Sequence, residues 1–156
     1  MKEYYSRRNM LKKSALTAGG LCTCQILDAF AAPSDCCNTP HLEPGSFTIS
    51  QDRIVIDLAK APSLAEAGHA VFISQPDEEI ELIVVRPDKD QFIALSRFCT
   101  HGRQVLSYNK HWRLLQCNSY NHSLFKLDGE VYKGPAPHPL DMFEVEKKDQ
   151  KLTIYL

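Results

Sequence analysis

The chain has 156 residues, 24% of them charged, and a formal net charge of −1. That length holds one compact domain plus an extension and leaves no room for a second full core. No basic stripe interleaved with aromatic residues occurs, which speaks against a nucleic-acid surface.

The first 31 residues differ in kind from the rest. "SRRNMLKKSALTAGGLCTCQILDAFAA" places Arg7 and Arg8 after Ser6, continues with Met10 and Leu11, and runs weakly apolar from about Ser14 to Leu27. A basic segment followed by a short apolar one is the layout of a signal peptide. The run S-R-R-N-M-L-K resembles the twin-arginine (Tat) export motif, which implies a folded chain delivered to the periplasm. Ala29-Phe30-Ala31 fits an A-x-A cleavage site, so residues 1–31 are expected to be removed. The mature chain then carries 13 Lys and Arg against 17 Asp and Glu, about −4. The apolar stretch is short for a bilayer span and ends at Asp28, so membrane attachment is expected only if the signal stays uncleaved.

Residues 32–46, "APSDCCNTPHLEPGS", are rich in Pro, Ser and Asp and read as a flexible linker. Adjacent Cα atoms lie about 3.8 Å apart, closer than the ~4.4 Å lower bound usual for a disulfide. Cys36 and Cys37 are therefore read as inert tail thiols; a strained vicinal bridge and a bridge to a partner are the alternatives. Strands are expected at 53–58, 70–73, 80–85, 91–95, 112–116, 124–127, 130–132, 142–146 and 152–156, short runs rich in β-branched and aromatic residues. "APSLAEAGH" has room for one helical turn at most. "LDGE" at 127–130 is a tight hairpin, because Asp-Gly readily takes positive φ angles. The predicted fold class is all-β.

The chemistry concentrates in residues 98–125, "FCTHGRQVLSYNKHWRLLQCNSYNHSLF". Cys99 and His101 form a C-x-H pair, and one turn can point both side chains to the same side. Cys117 and His122 form a second, looser pair. The 15 residues between the pairs suffice for a strand out, a turn near Asn109-Lys110 and a strand back. Two loops at adjacent hairpin tips can then clamp a small metal centre, zinc or iron–sulfur, with thiolate and imidazole donors.

C-x-H, about 15 residues, Cys and His before an aromatic and an Asp-Gly turn, then Gly134-Pro135-Ala136-Pro137, resembles the Rieske [2Fe–2S] domain family over roughly residues 47–156. The resemblance implies an antiparallel β-sandwich with a small cluster-binding subdomain. It implies that Cys99 and Cys117 hold one iron of a [2Fe–2S] cluster and that His101 and His122 hold the other. The Gly-Pro-Ala-Pro stretch would be the proline loop covering the cluster on a third side.

The chain departs from the family pattern in its second loop, where family members usually have C-x-x-H and this sequence has four residues between Cys117 and His122. Counted back from Phe125, the usual ligand positions fall on Asn118 and Asn121. Either the loop bulges and still delivers Cys117 and His122, or the second half-site is degenerate. The two extra cysteines that brace high-potential members are missing, with Gln104 near the first of those positions. Ser123 and Tyr120 are the candidate hydrogen-bond donors to sulfur. Phe143 occupies the region where high-potential members tend to have a tyrosine. Fewer such donors imply a potential below about +150 mV within a family range of roughly −150 to +300 mV. His111 is expected to be a solvated residue at the hairpin tip, and His41 and His69 surface residues; for His138, which follows the proline loop, a place beside the cluster is the lesser of two readings.

The resemblance and the export motif together imply a periplasmic one-electron carrier, free or as an oxidoreductase small subunit resembling that of arsenite-oxidase-like enzymes. Its partner would be a redox protein, either a larger oxidoreductase subunit or a c-type cytochrome. The alternative is a Rieske-like binding or structural module, cluster-free or holding a single zinc.

Overall fold

The computed structural model describes residues 39–75, 79–120 and 122–156. The export motif, the cleavage site, Cys36, Cys37 and Asn121 lie outside the described residues. Strands β1 (Phe47–Ser50), β2 (Arg53–Asp57), β3 (His69–Gln75), β4 (Ile80–Asp88), β5 (Gln91–Ser96), β10 (Met142–Lys148) and β11 (Lys151–Tyr155) form one antiparallel sheet in the order β1-β2-β11-β10-β5-β4-β3. Strands β6 (Leu106–Asn109), β7 (Leu114–Cys117), β8 (Leu124–Phe125) and β9 (Val131–Lys133) form a second sheet, inserted in sequence between β5 and β10. Among the described residues the helical content is two 3₁₀ turns, Leu58–Lys60 and Pro62–Leu64. The fold is all-β, as the sequence predicts.

Strand β10 folds the larger sheet onto itself. Its first residues, Met142 and Phe143, pair with Leu95 and Ala94 of β5, whereas Glu144 to Lys148 pair with β11. The two halves thus face each other around Ile54 and Ile56 of β2, Val71 and Ile73 of β3, Leu82 and Val84 of β4, and Leu152 and Ile154 of β11. Alternate residues of β3–β5 point the other way. Phe72, Ile83, Val85 and Leu95 pack against Leu106, Leu115 and Phe125 of the smaller sheet. A strand covered on both faces has no polar side over that stretch, which is why "LIVV", residues 82–85, reads as an unbroken apolar run. Each fully buried Leu, Ile or Phe in these layers contributes roughly 1.5–3 kcal/mol.

Several boundaries differ from the sequence expectation. The expected linker is anchored at its described end: Leu42 is buried, its N–H donates to the Phe72 carbonyl at 2.8 Å, and Phe72 N–H donates to the Pro40 carbonyl at 2.8 Å. This segment caps the open edge of β3. Strand β1 lies one residue beyond the expected linker end. Trp112, read as the start of a strand, is exposed in the β6–β7 turn, where Asn109 Oδ1 accepts hydrogen bonds from the backbone N–H of His111 and Trp112, each at 3.1 Å. The Asp-Gly hairpin is as expected: Gly129 has φ +83°, and a Cβ there would sit 2.8 Å from the Leu140 carbonyl oxygen.

Candidate metal centre

The first loop is a tight hairpin end. Phe98 bridges to Val105, Cys99 N–H donates to the Gln104 carbonyl at 2.8 Å, and Arg103 N–H donates back to the Cys99 carbonyl at 2.9 Å. His101 therefore stands exposed at the tip while Cys99 is buried at the base. The entry to this loop is held by Arg97, whose guanidinium lies 2.8 Å from Glu81 Oε2 on β4 and 4.3 Å above the Phe72 ring. Ser74 Oγ donates to the other Glu81 oxygen at 2.7 Å. An ion pair this shielded, with its carboxylate bonded twice, fixes where β5 ends.

The second loop is carried by the β7–β8 hairpin. Cys117 N–H donates to the Ser123 carbonyl at 2.9 Å, so the loop proper is residues 118–122 and His122 is its last residue. Asn118 is tied to β6, with its N–H donating to the Val105 carbonyl at 3.1 Å and its Oδ1 accepting from Ser107 Oγ at 3.1 Å. Asn118 thus faces away from a ligand role, and Cys117 is the buried thiol. His122, at the end of this loop, takes φ +32°.

The third side is the predicted proline loop. Gly134 has φ +111°, and a Cβ there would sit 2.6 Å from Ser123 Cα and 3.0 Å from the His122 carbonyl oxygen. Thr100 Oγ1, in the first loop, donates to the His138 carbonyl at 2.8 Å. Residues 134–138 therefore touch both ligand loops. The His138 imidazole is exposed, and the contact of this residue with the first loop is made by its backbone carbonyl.

At the base, the Cys99 thiol faces the Cys117 sulfur, the His101 N–H and the Ser123 hydroxyl. Burial pushes the Cys99 thiol up from its ordinary range; the His101 N–H and the Ser123 hydroxyl oppose that rise, and the Cys117 sulfur adds to it. The Cys117 thiol donates to Ser119 Oγ at 3.2 Å. Ser123 Oγ is fully buried without an oxygen or nitrogen partner. A buried hydroxyl with no oxygen or nitrogen partner, beside the Cys99 thiol, suits a site whose remaining acceptors are cluster sulfurs. Both cysteines belong to the apolar core beside Leu106, Leu115 and Phe125, whereas His101 and His122 are exposed. Among the described residues no three His, Cys, Asp or Glu side chains approach closely enough to hold a metal ion. The thiols meet at the base; His101 stands at the tip of its loop, and the exposed His122 ring has its Nδ1 2.9 Å from the Cys117 carbonyl oxygen.

Three side chains depart from the sequence reading. Tyr120 is 98% exposed. Phe143 packs against the core that does not contain the cysteines. Ser119, unremarked in the sequence, is the hydroxyl bonded to Cys117; its position two residues after a cysteine is the local signal that could have found it. His111 is exposed at the far end of the β6–β7 hairpin, against Trp112.

Two buried thiols, two exposed imidazoles and the Gly-Pro-Ala-Pro loop that touches both hairpin ends are the features of this site. The family model for the Rieske [2Fe–2S] domain matches residues 56–144, more than half the chain, and the chain belongs to that family. Its cofactor is accordingly a [2Fe–2S] cluster. Among solved structures it is similar to the ferredoxin of carbazole 1,9a-dioxygenase from Nocardioides aromaticivorans IC177, at TM-score 0.51 and 19% identity, covering 64% of this chain and 92% of that one. At that identity the likeness is one of fold. Similarity also extends to the plasma membrane Rieske protein of Synechocystis PCC 6803 (TM-score 0.48, 21% identity, 55% and 84% covered). A chain of a hyperthermophilic respiratory complex III is similar as well (TM-score 0.49, 23% identity, 63% and 71% covered). No curated protein matches the chain.

Proposed function

We propose that the chain is a periplasmic one-electron carrier, exported by the twin-arginine route, in which Cys99 and Cys117 hold one iron of the cluster and His101 and His122 the other. The observation that carries this reading is the polarity of the site: both cysteines are buried, at 1% and 0% exposure, and both histidines are exposed. When bound, the cluster supplies a one-electron couple whose potential is raised by histidine ligation. The protein's own residues do the rest. The core around Phe125 and Leu115 keeps water from the sulfur end. The loop tips present the imidazole end to a redox partner, a larger oxidoreductase subunit or a c-type cytochrome. Export in the folded state suits a protein loaded before it crosses the membrane, and the residues assigned are signal 1–31, connector 32–46 and iron–sulfur domain 47–156. No helix among the described residues is long and apolar enough to cross a membrane.

Variants at the four positions test the ligand set. Cys99→Ser, Cys117→Ser, His101→Ala and His122→Ala should each lose the visible absorption of the cluster, and His111→Ala should keep it. Bleaching by His111→Ala with His122→Ala intact would overturn the assignment.

A further inference from the structure

We infer that the cluster end docks an acidic face of a redox partner, held by Arg103 and Lys133. The inference rests on the electron-carrier reading above and names the chemistry of the partner. Charge is divided unevenly along the chain. Residues 96–139, which carry the smaller sheet and all three loops of the site, hold six Lys and Arg against two Asp and Glu, a net +4. Residues 32–95 and 140–156 hold seven against fifteen, a net −8. From Gln91 to Leu127 the sequence has no Asp or Glu. The mature chain, −4 in total, is a cationic lobe on an acidic body.

The fold places two unpaired cations of that lobe at the cluster end. Arg97 and Arg113 reach across to Glu81 and Asp88 of β4, at 2.8 and 2.6 Å. Arg103 and Lys133 enter no ion pair among the described residues. Arg103 closes the first loop, its guanidinium 5.2 Å above the Phe98 ring. Lys133 ends β9, paired with Leu124 beside the second loop, and leads into Gly134. Asp128 and Glu130 lie in the turn at the opposite end of the β8–β9 hairpin. The three loops, 99–103, 118–122 and 133–138, therefore carry two fixed cations and no carboxylate side chain. Tyr120 and Tyr132, 98% and 60% exposed, add the aromatic surface that protein interfaces favour. Glu79 and Asp141 share a cleft with Arg103 and bound the patch on that side. That boundary and the acidic body repel an extended polyanion or an anionic bilayer, and leave room for one compact acidic face. The same body turns an acidic partner away from other approaches, so charge sets orientation as well as encounter rate.

Two one-electron oxidants of opposite charge read the sign of the field where the electron leaves. The exported protein, reduced with dithionite, is mixed with hexacyanoferrate(III), an anion, or with tris(phenanthroline)cobalt(III), a cation. Each takes one electron as the cluster returns to its oxidised form. Oxidation by the anion should slow as salt rises and oxidation by the cation should quicken, the opposite of what a net −4 dictates. Arg103→Gln with Lys133→Gln should slow the anion about tenfold at low salt, while Lys148→Gln, on the larger sheet, should change neither rate. Poly-aspartate, followed by calorimetry, should bind wild type and Lys148→Gln but not the double variant. Rates that follow the net charge, or poly-aspartate binding that survives the double variant, overturn the inference. So does self-association at low salt that the double variant abolishes, because the acidic body of a second copy is then the occupant. Binding to phosphatidylglycerol vesicles with none to poly-aspartate overturns it in favour of a lipid surface. A colourless wild type that binds poly-aspartate through Arg103 and Lys133 sinks the carrier reading and upholds the docking surface.

Discussion

Gly134→Ala probes whether the proline loop closes on the second ligand loop as described. At φ +111° an alanine is strained in its own backbone, and its Cβ would lie 2.6 Å from Ser123 Cα, 3.0 Å from the His122 carbonyl oxygen and 3.1 Å from Ser123 Oγ. The first effect costs about 1–3 kcal/mol. The second forces backbone against backbone and costs about a further 1–3 kcal/mol. Gly45 separates the two, since it has φ +81° with nothing within 4 Å of a built Cβ. Gly45→Ala should lose only the conformational part. For a domain of this size 1 kcal/mol moves the melting temperature by about 4 °C, so Gly134→Ala should melt roughly 8–24 °C below wild type and well below Gly45→Ala. Calorimetry measures the shift, and absorbance per mole of protein measures cluster retention, which should fall in Gly134→Ala alone. If the two variants melt together with clusters equally retained, the proline loop does not seat on Ser123 and the three-sided enclosure is wrong.

Removing the hydroxyls should shift the potential. Ser119→Ala and Ser123→Ala each leave more charge on the cysteine sulfurs and should lower it, while Tyr120→Phe, at an exposed side chain, should leave it unchanged in cyclic voltammetry; wild type should lie below about +150 mV, within a family span of roughly −150 to +300 mV. The metal-free protein should lose stability as pH rises through the ordinary thiol value of 9.0, because burial keeps the Cys99 proton on the folded chain after the unfolded chain has released it. Urea unfolding between pH 8 and 10 should show that slope, and Cys99→Ser should reduce it. Arg7→Lys with Arg8→Lys should leave a folded, cluster-loaded precursor in the cytoplasm, read by fractionation; unchanged export would refute the twin-arginine assignment.

Much of the fold was legible because the strands announce their burial. β4 is apolar on both faces because it is covered on both, and Gly129 turns the β8–β9 hairpin where Asp-Gly stands in the sequence. Less legible was anything decided by contacts distant in sequence. β1, "FTIS", is half exposed along its length, and its signal is lost beside the Pro-rich segment before it. Trp112 looked like a strand residue from its aromatic ring, yet Asn109 caps the turn that ejects it. In the site, the Cys spacing pointed to the two thiols that face each other at the base, and the length of the second loop followed from counting back from Phe125. Orientation did not follow. Tyr120 and Ser119 are neighbours in one loop, yet Ser119 bonds the Cys117 thiol while Tyr120 is exposed, a difference that spacing alone does not carry.

The central claim, a histidine-and-cysteine-bound [2Fe–2S] cluster in a chain with a lengthened second loop, is tested most directly by metal and acid-labile sulfide analysis. The protein should be purified from cells that export it, with EPR of the dithionite-reduced sample. The account predicts about two irons and two sulfides per chain and the low average g-value of a cluster with imidazole on one iron. One zinc per chain, or no metal, would contradict it and leave a binding module built on the same fold.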